Sequence, residues 1–191
     1  MRFMIRLLTL MLPMVIATPA ESGWNPFAED QVDAVNQDEM SATINAFKSA
    51  NPALQTFFDK AAGYAVFPNV GKGGIGIGGA YGTGAVYRGS ILIGSSSLTQ
   101  VTIGFQLGGQ TYREIIFFRD EQALARFTEG NFELGAQASA TALTVGKSVN
   151  ADYSDGVAIF TLPNGGLMYE ASVGGQKFSF TRVTQEIRKP E

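Results

Sequence analysis

Gly74, Gly76 and Gly79 stand in the spacing G-x-G-x-x-G, inside GKGGIGIGGAYGTG (residues 71–84), where eight of fourteen positions are glycine. In a dinucleotide enzyme that spacing joins a strand to a helix whose first amides hold a pyrophosphate, with an acid about twenty residues on for the ribose. The residues that follow, AYGTGAVYRGSILI (80–93), bring three more glycines and no helical stripe, and no acid occurs before Glu114. Lys72 precedes the glycines, and no G-K-[ST] follows them, so a P-loop fails as well. No nucleotide is expected. The stretch reads instead as a strand with Gly74, Gly76 and Gly78 on one face and Ile75 and Ile77 on the other. A bare face weakens a strand through chain entropy and lost packing, and the usual compensation is close contact. That contact is either a packed element, for which the preceding helices with Phe57 and Phe58 are the obvious choice, or an acyl chain or lipid head group.

Other catalytic constellations are sparse. The chain has no histidine and no cysteine, which removes the commonest general base, the commonest metal ligands and the thiol nucleophile. Serines 95–97 lack the G-x-S-x-G elbow, and no serine stands three before a lysine. Asp152 and Asp155 in NADYSDG hint at calcium, but their spacing is out of phase with an EF-hand and the closing Glu is missing. A polar turn is the simpler account. Carboxylates can meet from distant positions, so a carboxylate hydrolase on Asp152 and Asp155 stays open as a third reading. No catalytic residue, metal or cofactor is expected.

The elements that would carry these residues follow from periodicity. Asn25-Pro26 and Asn51-Pro52 each read as a helix start, giving helices over about 27–49 and 52–62. Tyr64 to Phe67 reads as a strand ending at Pro68-Asn69, followed by the glycine strand. Ser90–Gly94, Thr99–Leu107 and Thr111–Phe118 read as separate strands. Leu107-Gly108-Gly109-Gln110 reads as a hairpin turn. Asp120 caps a short helix, Glu121 to Glu129, stopped by Gly130. ELGAQASATA (133–142) alternates strictly and reads as a strand with an all-alanine face. Val157–Leu162 and Leu167–Val173 read as strands around the turn 163–166. Val173-Gly174-Gly175-Gln176 echoes the earlier GGQ; convergent turn chemistry accounts for it better than duplication. The fold class is α+β: N-terminal helices packed on a glycine-rich, mostly antiparallel, curved or barrel-like sheet.

With 191 residues the chain suits one domain. Arg2 and Arg6, the apolar run Leu7 to Ala17, and Thr18 and Ala20 before Glu21 have the form of a cleavable signal peptide over 1–20. An uncleaved interfacial anchor is its rival. No cysteine stands at the cleavage point, so no lipoprotein acyl chain is expected, and the location read is periplasmic or secreted. Removing 1–20 takes two arginines and no acid, so the formal charge of −3 becomes −5. Segment 21–39 forms an acidic helical start, and 184–191 is a polar tail. Residues 60–113 contain no Asp or Glu, only Lys60, Lys72, Arg88 and Arg113. This balance does not favour nucleic acid, which asks for a strong basic stripe.

Four blocks, AGYAVFPNVGKGGIGIGGAYGTGAVYR, SLTQVTIGFQLGGQTYREIIFF, ALARFTEGNFELGAQASA and NGGLMYEASVGGQKF, together resemble the SYLF domain family over about 40–183. The resemblance implies a non-enzymatic module that binds lipid or a membrane surface. Eukaryotic relatives include yeast actin-binding proteins, and are thought to bind phosphoinositides with the aid of a basic N-terminal helix. Here that helix carries Asp30, Asp33, Asp38 and Glu39, which repel an anionic head group. An acidic lipid should therefore meet Lys60, Lys72, Arg88 or Arg113. Lys72 and Arg88 would touch phosphate, and Phe67, Tyr81 and Tyr87 would sit at the apolar boundary. Actin binding does not suit an exported protein. The alternative is an envelope interaction or scaffold domain that meets a protein partner and no lipid, motivated by free strand edges.

Overall fold

The computed structural model of the chain describes residues 36–135, 143–144 and 153–183. The leader over 1–20, most of the acidic segment, the alternating stretch beyond Gly135 and the tail from 184 lie outside them. The α+β class holds: strand predominates among the described residues, the helices lead, and the antiparallel sheet is curled into a half-barrel.

Helix α1 spans Gln37–Ala50. The side chain of Asn36 accepts from the amides of Asp38 and Glu39, and Asn36 itself is extended. The helix therefore starts at its own cap instead of running through from 27 as the sequence suggested. The Asn51-Pro52 start holds: Asn51 Oδ1 accepts from the Ala53 amide at 3.0 Å. It opens a single 3-10 turn, Pro52–Leu54, and then α2, Gln55–Lys60. Helix α3, Glu121–Thr128, begins where Asp120 accepts from the Ala123 amide and ends before Gly130, whose φ of 77° only glycine adopts cheaply.

The strands are far longer than periodicity suggested. Strand β1 is Gly63–Arg88 and β2 is Ile91–Phe118, paired from Arg88↔Ile91 at a two-residue turn, Gly89-Ser90, to Gly63↔Phe118. Strand β5, Val157–Phe178, runs antiparallel to β2 along its whole length. Short strands finish the sheet: β3 (Phe132–Leu134) and β4 (Leu143–Thr144) on β5, and β6 (Thr181–Arg182) on β2. The expected turns at 107–110 and 163–166 are not turns but ladder positions. Gly109 pairs with Gly73 and Leu167, and Gln110 with Lys72 and Gly166. Pro68 does not end its strand either. A register shift between Phe67 and Val70 takes up the residue that cannot donate.

Glycine lets these long strands fold over. A Cβ on Gly74 would overlap the backbone of Gly78, so β1 reverses sharply between them, through Gly76 at φ 71°. The sheet thus has two layers. One holds 63–72 of β1 with 108–118 of β2; the other holds 78–88 with 91–102. Gly82 lies against Asn69 and Val70, and Gly84 against Val66 and Phe67. Gly82 and Gly84 thus lie flush against the first half of the same strand, whereas on the face read as bare Gly74 meets only the returning chain at Ile77 and Gly78, and a Cβ on Gly76 would meet open space. Between the layers lie Ala65, Phe67, Val70, Ala80, Val86, Leu98, Ile116 and Phe118, closed at one side by Leu124 and Phe127 of α3. Helices α1 and α2 cover the outer face at the far end from the corner. There Met40, Phe47, Leu54, Phe57 and Phe58 pack on Tyr64, Val66, Tyr87, Ile115, Phe117 and Phe160.

Candidate functional site

The corner of the folded sheet is the part of the molecule whose side chains break the ordinary rule for a half-buried strand. Ladder partners share a face, so Ile77 opposite Ile103, Ile75 opposite Leu107 and Gly79 opposite Val101 place one row outward. Ile75 is 80% exposed, Ile103 69% and Ile77 68%, with Val101, Leu107 and Tyr81 also open to solvent. The alternate positions face inward and are polar: Gln100 and Thr102 on β2 and Gln176 on β5 are buried, as is Glu114 nearer the base. A strand reading LTQVTIGFQL should hide Val101 and Ile103 and show Gln100 and Thr102 to water. Here the orientation is reversed. Three pieces of backbone impose it: the reversal at Gly76, the register shift between Ile75 and Ile77, and Gly104 and Gly108 at φ 147° and 114°.

Neither β1 nor β2 up to Arg113 carries an acid. On β5 an acid, Glu170, stands in register with Gln106. Lys72 is half-buried on β1 just before the corner, and Arg113 is half-buried farther down β2. Opposite the row, β5 contributes its 169–175 backbone, with Tyr169, Ala171 and Val173 in register with Leu107, Phe105 and Ile103.

The residues singled out from sequence do not all converge. Lys72, Gly74, Gly76, Gly78 and Tyr81 gather at the corner. Gly74 and Gly78 serve the reversal, and Tyr81 is exposed. Phe67 is wholly buried between the layers, so the boundary role expected of it is not open to it from outside. Tyr87 also lies inside: it is buried under the helices and stacked on Tyr64 at 5.1 Å. Burial pushes its hydroxyl pKa up, and that of Tyr64 by burial and then by the neighbouring Tyr87. Lys60 is exposed on α2. Arg88 is exposed at the same base end and meets Glu121 at 3.4 Å. Sequence reasoning missed Val101, Ile103 and Leu107 as a surface. The signal was their strict alternation with Gln100 and Thr102, visible without saying which face was inside.

Catalytic groupings are thin here. Asp155 forms a two-residue turn with Gly156 (φ 51° and 82°), in which Ser154 and Val157 exchange both backbone hydrogen bonds at 2.9 Å. The Asp155 carbonyl accepts from Arg126 Nη2 at 2.6 Å. That is the polar turn read from the sequence, while Asp152 lies outside the described residues. Among the described residues no three acidic side chains gather in a metal-binding group. No helix among them is long and apolar enough to cross a membrane.

Two comparisons with known proteins bear on this surface. The pattern of the Ysc84 family, described as "Las17-binding protein actin regulator", matches residues 99–185. That span includes most of β2, α3 and β5. "Beta cell expansion factor A" of Aeromonas veronii is 27% identical over 146 residues, covering 76% of this chain and 55% of that protein. The chain thus spans about half the length of that relative.

Proposed function

Residues 99–185 match the pattern of the Ysc84 family, the SYLF domains, and from that likeness we propose that the chain is a non-enzymatic module that sets the apolar corner of its folded sheet into a phospholipid surface. The observation that carries the reading is the reversed alternation of β2, with Val101 and Ile103 outward and Gln100 and Thr102 inward. Sheets that face hydrocarbon show apolar side chains outward and polar ones inward, and an exposed apolar patch of this kind marks a place of contact. Taking one isoleucine out of water is worth about 1.5–3 kcal/mol, so Ile75, Ile77 and Ile103 together supply several kcal/mol. Tyr81 suits the head-group level, where a ring with a polar tip is favoured. Lys72, which also acts on buried Glu114, and Arg113 are the half-buried cations of these strands that would meet phosphate. The acidic start of α1 is kept away from the corner by its place at the base.

Export belongs to the same reading: residues 1–20 act as a cleaved leader that delivers the domain to the periplasm or the medium of a bacterium. N-terminal sequencing of the secreted protein should begin at Glu21. The surface itself is tested by floating the purified chain with phosphatidylcholine vesicles, with and without an anionic phospholipid. The wild type should float, and an Ile75→Asp, Ile77→Asp double variant of unchanged circular dichroism should stay down. Failure of the wild type to float with either vesicle rejects the proposal. A second reading, an envelope interaction domain, draws on β1, which stands at the end of the sheet order with one edge unpaired by any described strand. Crosslinking that recovers one stoichiometric protein and no lipid would favour it.

A further inference from the structure

The interior of the folded sheet holds a side chain that lipid contact does not use. Glu114 is wholly buried on β2, on the face that carries Tyr112 and Ile116 into the space between the layers. Gln176, buried on β5 in the opposite layer, donates from Nε2 to Glu114 Oε2 at 3.0 Å. Two acceptors are then left over, Glu114 Oε1 and Gln176 Oε1, both buried and without a hydrogen-bond partner among the described residues. Buried acceptors left unmade are costly. A proton on the carboxyl would turn one of these acceptors into a donor. A neutral carboxyl can donate its O–H to Gln176 Oε1 while its other oxygen keeps accepting from Nε2, which makes a two-point acid–amide ring.

We propose that Glu114 and Gln176 form a proton-operated clasp between the two layers of the folded sheet, closed when the carboxyl is neutral and opened when it ionises. The proton comes from bulk water and returns to it. Among the described residues the charged and titratable groups around the pair are few. Lys72 of β1 acts on Glu114 and favours its charged form. Tyr112 shares the face of β2. Lys177 sits one residue beyond Gln176, on the other face, and reaches Glu133 at 3.3 Å. Helix α3 enters this core only with Ala123, Leu124 and Phe127. Burial pushes the Glu114 carboxyl up to about 7, against the smaller downward pulls of the Gln176 hydrogen bond and Lys72.

The sign follows from linkage. The folded state holds the proton up to about 7, while the unfolded chain releases it near the ordinary 4.5. The stabilisation is complete below the lower value and is lost as pH rises towards the higher one. Each unit of that interval is tenfold in the folding equilibrium, so the constant should fall on the order of a hundredfold.

Denaturant unfolding between about pH 5 and pH 8 tests the clasp. The wild-type midpoint should fall across this range. Glu114→Gln should flatten the curve near its acid-side value, since two amides can close the same ring without a proton. Gln176→Met should lower the midpoint most at pH 5, where the clasp is shut. A Glu114→Gln variant with the wild-type slope overturns the proposal. If that variant does not fold, infrared spectra of wild type with 13C-carboxyl glutamate decide. A protonated-carboxyl band at pH 6 that titrates away near neutrality supports the clasp, and its absence at pH 6 overturns it. These readouts involve no lipid, so the clasp stands or falls apart from the membrane proposal.

Discussion

At 115–118, β2 presents Ile115, Ile116, Phe117 and Phe118, all fully buried. Helices cover one face there and the second layer covers the other. At 99–103 the same strand alternates strictly, and its apolar side chains are in water. One chain of hydrogen bonds joins the two regions, so backbone pairing does not account for the difference. Covering does. Where α1 and α2 add a layer, both faces can be greasy. Where nothing described lies outside, the polar side chains still go in, because the bare glycine face dictates which side the second layer folds onto. Orientation in this sheet is thus set by where a Cβ is missing more than by where a methyl is present.

Substitutions can break or sharpen that contrast. The largest effect is expected at the covered end: Phe117→Ala removes a ring packed on Phe57, Phe58 and Phe160 and should cost about 3–5 kcal/mol in denaturant unfolding. Gly84→Val comes next. Its side chain would run into Phe67 and the Val66 carbonyl, and overpacking of this sort costs about 1–3 kcal/mol. Ile103→Asp at the corner should change stability by no more than about 0.5 kcal/mol, yet lower vesicle affinity at least tenfold, about the worth of one buried isoleucine. A large loss of stability there would mean that the corner is core after all. Arg88→Ala breaks only an exposed pair with Glu121, worth about 0–1 kcal/mol, and should leave flotation intact. If it weakened flotation more than Ile103→Asp does, the lipid contact would lie at the base and not the corner.

Local chemistry was legible where the chain settles matters within a few residues. Asn51-Pro52, Asp120 with Gly130, and Asp155-Gly156 each do what their side chains and φ preferences favour. The failures share one cause. Gly108-Gly109 and Gly165-Gly166 look like turns because glycine permits a turn, yet pairing on both sides of β2 keeps them in the ladder. They stand near Gly73 and Gly74 across the strands, close to where the sheet bends. Aromatic rings suit a boundary, which is why the sequence places Phe67 and Tyr87 at one, but the fold-over of β1 encloses Phe67 and the helices cover Tyr87. The clasp was invisible in sequence, since Glu114 and Gln176 are 62 positions apart and meet only once the layers close.

The tight reversal at Gly89-Ser90 carries a kinetic consequence. Pairing of β1 with β2 can begin beside it, where the loop to be closed is shortest, and then advance like a zip with little added entropic cost per rung. Strand β5 must instead be captured from across α3 and the segment after it, which makes its docking the slower event. Pulse-labelled amide exchange should therefore show Val86 to Gly94 protected before Val157 to Phe160, and the reverse order would place the nucleus elsewhere.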